Sequence, residues 1–229
     1  MRLTRASVIA SVLYSIAGLA WAILARPAGA WAAAWIVLVG VAGAFIPGIA
    51  NQVSLARAYL AAPALVYALT PGNLGVLAVV VAIAGLTDLV DGTIARRFDK
   101  PSTFGGGLDP VVDGLFLGAL TFGLAAGGGI PWWLAVVVVL RYLLPALAGG
   151  LLILLRRPPE LRHTLMGQVS TVLILVLIGG TCLIRGLGQD PGNFALAAQV
   201  VIPIATVATF IHLAWALRYR RPVAVPGGG

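Results

Sequence analysis

Negative charge is what this chain has least of. Its 229 residues include seven Asp and Glu against fifteen Lys and Arg, a formal net charge of +8. Charged side chains of either sign make up only 10% of the sequence and hydrophobic ones 60%, with a mean hydropathy of +1.03. Those values exclude a water-soluble domain of this length and point to a polytopic membrane protein. Cysteine is nearly absent too. Cys182 stands alone inside an apolar run, which excludes a disulfide framework and reads as a small core residue. Of the two histidines, His163 in a basic loop reads as solvated and His212 in an apolar run as a packing residue. The basic residues cluster at the ends of apolar runs, so they serve membrane orientation and anionic lipid rather than nucleic acid. No internal repeat is present.

Against that background, four of the seven acidic residues stand within one stretch of twenty-six. It reads Asp88-Leu-Val-Asp91-Gly92-Thr-Ile-Ala95-Arg96, then eight residues to Gly105, then Asp109 and Asp113. Long apolar runs flank it, so these carboxylates lie near membrane depth, where an ionisable group is costly and marks function. Asp88 and Asp91 share one helical face that Ala95 continues, and Asp109 and Asp113 share another. The Pro/Gly-rich segment between them reverses the chain, so two antiparallel helices aim four carboxylates at one point. Four anions share a point only if cations are present or some are protonated. Hard oxygen ligands suit Mg²⁺ or Mn²⁺, as a single ion or a pair. Gly92 and Ala95 leave room against the helix backbone for a ligand, or for close packing of another helix.

The same residues resemble the signature of the CDP-alcohol phosphotransferases, D-x2-D-G-x2-A-R-x8-G-x3-D-x3-D, with every fixed position present at the right spacing. The resemblance implies an all-α core of six membrane helices. It also implies transfer of a phosphatidyl-type group from a CDP-linked lipid, such as CDP-diacylglycerol, to an alcohol with release of CMP, in phospholipid biosynthesis. Carried over by position, Asp88, Asp91 and Asp109 hold the metal, and Asp113 shares ligation or acts as general base on the incoming hydroxyl. Gly92, Ala95, Arg96 and Gly105 contact or shape the nucleotide pocket. Asn51-Gln-Val-Ser54-Leu-Ala-Arg57 is similar to the N-x-[IL]-[TS]-x-x-R start of the first core helix, which turns Asn51 and Arg57 toward that pocket; on the residues alone, a helix cap and an interfacial arginine serve as well. Leu108-Asp109-Pro110 followed by Asp113 resembles the L-D-P-x-x-D variant of phosphatidylglycerophosphate and cardiolipin synthases. Those place Lys or Arg after the last aspartate, where this chain has Gly114. The departure leaves the acceptor open between an uncharged alcohol and glycerol 3-phosphate, whose phosphate Arg57, Arg141 or Arg162 would face. Arg162 to Thr164 loosely resembles the family's later K-x-x-T element. Homodimers are common in that family.

The rest of the chain follows the same plan. Apolar runs over 7–25 and 30–46 read as a retained helical hairpin, extra to the six-helix core, because the first is too long for a signal core and another span follows at once. The expected division is therefore an N-terminal hairpin over 1–47, a core over 48–221, and a tail over 222–229 that is disordered by composition. Core spans are expected over 51–70, 74–97, 106–127, 132–155, 164–184 and 193–217. With the hairpin that makes eight spans, each long enough for a hydrocarbon layer of about 30 Å. Spanning segments must satisfy their own backbone, so the fold class is all-α, a polytopic membrane helical bundle. Pro110 suits the first turn of a helix capped near Asp109, or kinks one that begins at Ser102 or Thr103. Arg141, deep in its span, is either a structural partner or an anion-binding group facing the carboxylates. Alternating spans gather Arg2, Arg5, Arg96, Arg97, Lys100, Arg156, Arg157, Arg162, Arg218, Arg220 and Arg221 on one side and leave Arg26 and Arg185 on the other. The positive-inside rule then places the motif on the cytoplasmic face of the inner membrane. A Mg²⁺-dependent prenyltransferase would bring a second aspartate cluster, and a transporter or scaffold would spread or lose its acids. Outside the stretch from 88 to 113 only Glu160 and Asp190 are acidic.

Overall fold

The computed structural model describes residues 4–98, 103–154 and 165–218. Among them are eight α-helices and no strand: α1 Arg5–Ala25, α2 Trp31–Ala44, α3 Ile49–Ala68, α4 Leu74–Phe98, α5 Thr103–Ala126, α6 Trp132–Leu154, α7 Leu165–Gly186 and α8 Gly192–Arg218, with a 3-10 turn, Pro71–Asn73, leading into α4. Five stretches are long and apolar enough to cross a bilayer: Arg5–Ala25, Pro71–Asp88, Leu108–Ala126, Gly167–Gly186 and Gly192–His212. Trp31–Ala44 and Trp132–Ala148 are apolar but shorter. Apolar residues such as Leu13, Leu24, Leu147, Ile204 and Ile211 point outward, a surface suited to lipid rather than water. The protein is an integral membrane helical bundle.

α3 is the exception to this apolar rule, and it lies at the centre. Its first three turns carry Asn51, Gln52, Ser54 and Arg57, and twelve of its twenty residues are buried. It packs along α5 and α4 and also receives α1 and α2. Small residues make this possible, since Ala58, Ala61, Ala62, Ala64 and Ala68 are all buried on it. At Gly123 of α5 a Cβ would come within 2.7 Å of the Ala68 Cβ, so any side chain there would push the two helices apart. Outward from this centre α4 packs on α7, α5 on α6, and α8 on both α7 and α6. Leu77, Phe116, Leu120, Leu134, Ile174, Ile178 and Ile202 fill the shared core.

The hairpin of α1 and α2 is fastened to α3 by two indole donors. Trp21 Nε1 donates to the Tyr67 hydroxyl at 2.8 Å, and Trp35 Nε1 donates to the Ala58 carbonyl at 2.8 Å. Between α2 and α3 the chain turns at Gly48, whose φ of 103° is a conformation that other residues rarely adopt. The buried Gln52 amide donates to the carbonyls of Gly43 at 2.9 Å and Ile46 at 2.6 Å. It thereby fastens the start of α3 to the end of α2, as a second donor to the Gly43 carbonyl that the Ile46 N–H already reaches at 3.0 Å. The two placements of Pro110 are also resolved: α5 begins at Thr103 and runs through it. The proline takes one backbone hydrogen bond out of the half of α5 that carries both aspartates.

Candidate functional site

Three helices build the site. α4 brings Asp88, α5 brings Asp109 and Asp113 one turn apart, and α3 brings Arg57 between them. Arg57 is 2% exposed, one of the most deeply buried large side chains in the protein. Its Nη1 pairs with Asp88 and lies 3.0 Å from the Asp113 carboxylate, while its Nη2 lies 3.9 Å from Asp109. The carboxylates are more open than their partner, at 31%, 32% and 15% for Asp88, Asp109 and Asp113. Among the described residues, three partly exposed carboxylates meet one guanidinium, a formal excess of two negative charges. α4 and α5 both pack on α3, which carries a cation into the cluster. Among the described residues no three acid, His or Cys side chains are disposed to hold one ion.

Several expected site residues fall outside this description. The helices that carry Asp91, Gly92, Ala95, Arg96 and Gly105 are described, with α4 unbroken to Phe98, but the surroundings of these five are not. Arg162 and the tail over 222–229 lie outside the described residues. Asn51 is described. Its Nδ2 donates to the Pro47 carbonyl at 2.6 Å, at the corner where α3 starts. Arg57, expected to face nucleotide or acceptor, lies among the aspartates of the site.

Arg141 belongs to a second polar cluster. It is 5% exposed, and its Nη1 donates to Ser170 and, at 3.2 Å, to Thr209. Its Nη2 donates to the Gly167 carbonyl at 3.0 Å and to Thr171 at 3.4 Å, and its Nε has no partner. The guanidinium also sits 5.4 Å from the centre of the neighbouring Tyr142 ring, near enough for a cation–π contact. Tyr142 is the residue that sequence reasoning missed. Its hydroxyl meets Thr171 at 2.9 Å, and its Cβ stands 3.0 Å from where a Cβ on Gly114 would be. The position that carries Lys or Arg in the L-D-P-x-x-D variant is thus filled from α6 here. No sequence signal marks this, because nothing in the α6 pattern says which residue meets α5.

The family model described as CDP-alcohol phosphatidyltransferase matches residues 48–217. The hairpin of α1 and α2 therefore precedes the matched region. Among curated proteins, a probable CMP-forming cardiolipin synthase of Drosophila melanogaster is 41% identical over 64 residues, 28% of this chain and 20% of that protein. An archaetidylinositol phosphate synthase of Methanothermobacter thermautotrophicus is 42% identical over 57 residues, 25% of this chain and 29% of that protein. The like-named protein of Pyrococcus horikoshii is 39% identical over 54 residues, 24% of this chain and 29% of its own length. This chain spans less than a third of the length of each of these relatives.

Proposed function

Because this chain belongs to the CDP-alcohol phosphatidyltransferase family, we propose that it moves a phosphatidyl-type group from a CDP-linked lipid to an alcohol and releases CMP. The observation that carries the proposal is the meeting of Asp88, Asp109 and Asp113, from two helices, at a partly open point inside a membrane bundle. Asp88, Asp91, Asp109 and Asp113 would hold Mg²⁺ or Mn²⁺. The donor set fits, since it is all hard oxygen, carries excess negative charge and is reachable by a hydrated ion. When bound, the ion draws charge from the diphosphate and steadies the departing CMP.

The remaining steps fall to the chain itself. Asp113 takes the proton from the acceptor hydroxyl, whose oxygen forms the new bond to phosphorus as the bond from phosphorus to the CMP oxygen breaks. Gly92, Ala95, Arg96 and Gly105, together with Asn51, are the residues assigned to the nucleotide by the family motif. An apolar groove of about 370 Å³ between α4 and α7, lined by residues such as Val79, Ala82, Leu175 and Leu183, reaches Gly85 one turn before Asp88. It suits an acyl chain of a donor whose head lies at the aspartates. Arg141 and Arg162 are the cations assigned to a phosphorylated acceptor such as glycerol 3-phosphate. The arginine distribution supports a site on the cytoplasmic side. The test is CMP release by purified protein from CDP-diacylglycerol with a panel of free and phosphorylated alcohols. Activity should vanish with EDTA and return with Mg²⁺ or Mn²⁺; turnover that survives thorough chelation, or none with any acceptor, refutes the reading.

A further inference from the structure

Arg57 has no part in the chemistry above, yet it is more deeply buried than any of the carboxylates around it. A guanidinium at that depth is costly unless charges of opposite sign surround it. Here they come from two different helices: Asp88 on α4, and Asp109 and Asp113 on α5. These are the oxygens assigned to the metal. A planar guanidinium presents its donors as a rigid fork, so carboxylates arranged around it are spread apart. That matches the finding that no three described acid side chains are disposed to hold one ion.

We propose that Arg57 is a resident counter-cation of the metal centre. It holds the α4 and α5 carboxylates together while no ion is bound, and it competes with the divalent ion for the same oxygens. The proposal rests on the metal-centre reading and adds two consequences to it. Loading must draw the carboxylates inward and away from the guanidinium, since like charges disfavour sharing the ligands. The ion is consequently bound weakly enough to exchange, and α3, which supplies no metal ligand, sets that affinity. Arg57 is in these terms a positioning residue rather than a catalytic one.

The test compares the full chain with its Arg57→Gln and Arg57→Lys variants in detergent or nanodiscs. Mn²⁺ binding is followed by the electron paramagnetic resonance signal of the free ion, and thermal unfolding is followed with and without Mn²⁺. Arg57→Gln should bind Mn²⁺ about tenfold more tightly, equivalent to about 1.4 kcal/mol. It should also unfold at a lower temperature than wild type without metal, with the gap narrowing as Mn²⁺ is added. Arg57→Lys keeps the charge but cannot bridge as a fork, so it should fall between the two. If Arg57→Gln fails to fold, Arg57→Lys decides by the same two readouts. Affinity equal to or weaker than wild type in a folded variant overturns the proposal. Absence of Mn²⁺ binding in the wild type as well overturns the metal centre itself, a separate result.

Discussion

Gly114→Lys restores the residue type that the L-D-P-x-x-D variant carries after its last aspartate, and here it should damage the protein. A Cβ at 114 would lie 3.0 Å from the Tyr142 Cβ, 3.4 Å from its Cγ and 3.7 Å from its Cδ1. The neighbouring helix must give by a few tenths of an ångström for the first atom alone. Replacing glycine inside a helix gains about 0.5–1 kcal/mol of backbone entropy, which offsets part of that strain, so Gly114→Ala should be close to neutral. Lysine adds four more heavy atoms against the ring, and overpacking of this kind costs about 1–3 kcal/mol. The measurement is thermal unfolding of the purified variants, set in a double-mutant cycle with Tyr142→Ala. Removing the ring makes room for the lysine stem, so the two changes together should be less harmful than their sum by about 0.5–3 kcal/mol. If Gly114→Lys is as stable as wild type and the cycle shows no coupling, α5 and α6 do not meet through these residues.

Other outcomes follow from the same geometry. Asp113→Asn should abolish CMP release while unfolding stays cooperative; turnover at the wild-type rate would remove Asp113 from the role of base. Arg141→Met should cost stability only modestly, about 1–2 kcal/mol, because Thr171 and Thr209 keep bonds to the Gly167 carbonyl at 3.1 Å and the Ala205 carbonyl at 2.7 Å. The same variant should raise KM for a phosphorylated acceptor, and an unchanged KM would make Arg141 purely structural. In spheroplasts, Ser102→Cys should resist impermeant thiol reagents until the membrane is opened; labelling of intact spheroplasts would reverse the orientation.

How far the sequence could be read depended on whether a feature was local. Helix positions were legible because hydrophobic runs end at turn residues: Pro71-Gly72-Asn73 precedes α4, and the Gly127 to Pro131 stretch separates α5 from α6. Cys182 is buried as its apolar surroundings implied. The pairing of Asp109 with Asp113 is one turn of helix and needs no tertiary information. Which helix stands beside α4 and α5 is a tertiary fact, and the motif is silent on it. Arg57 is thirty-one residues from Asp88 in sequence, and its polarity suited an interfacial position as well as an interior one. Gln52 shows the same gap: its side chain looks like a surface residue until its bonds to the carbonyls at the end of α2 are seen.

The departure at Gly114 and the placement of Arg141 are one feature rather than two. Tyr142 fills the space beside Gly114 and, through its hydroxyl, joins Thr171, which also accepts from Arg141. The guanidinium on α6 is held by neutral hydroxyls of α7 and α8, and its partners among the described residues include no carboxylate. Under the proposed function it is the cation assigned to a phosphorylated acceptor. On that proposal a phosphorylated acceptor depends on Arg141 and an uncharged one does not. Tyr142→Phe separates the cases, since it keeps the ring and removes the hydroxyl that bonds Thr171 beside Arg141. A phosphorylated acceptor should then bind more weakly while an uncharged one is unaffected.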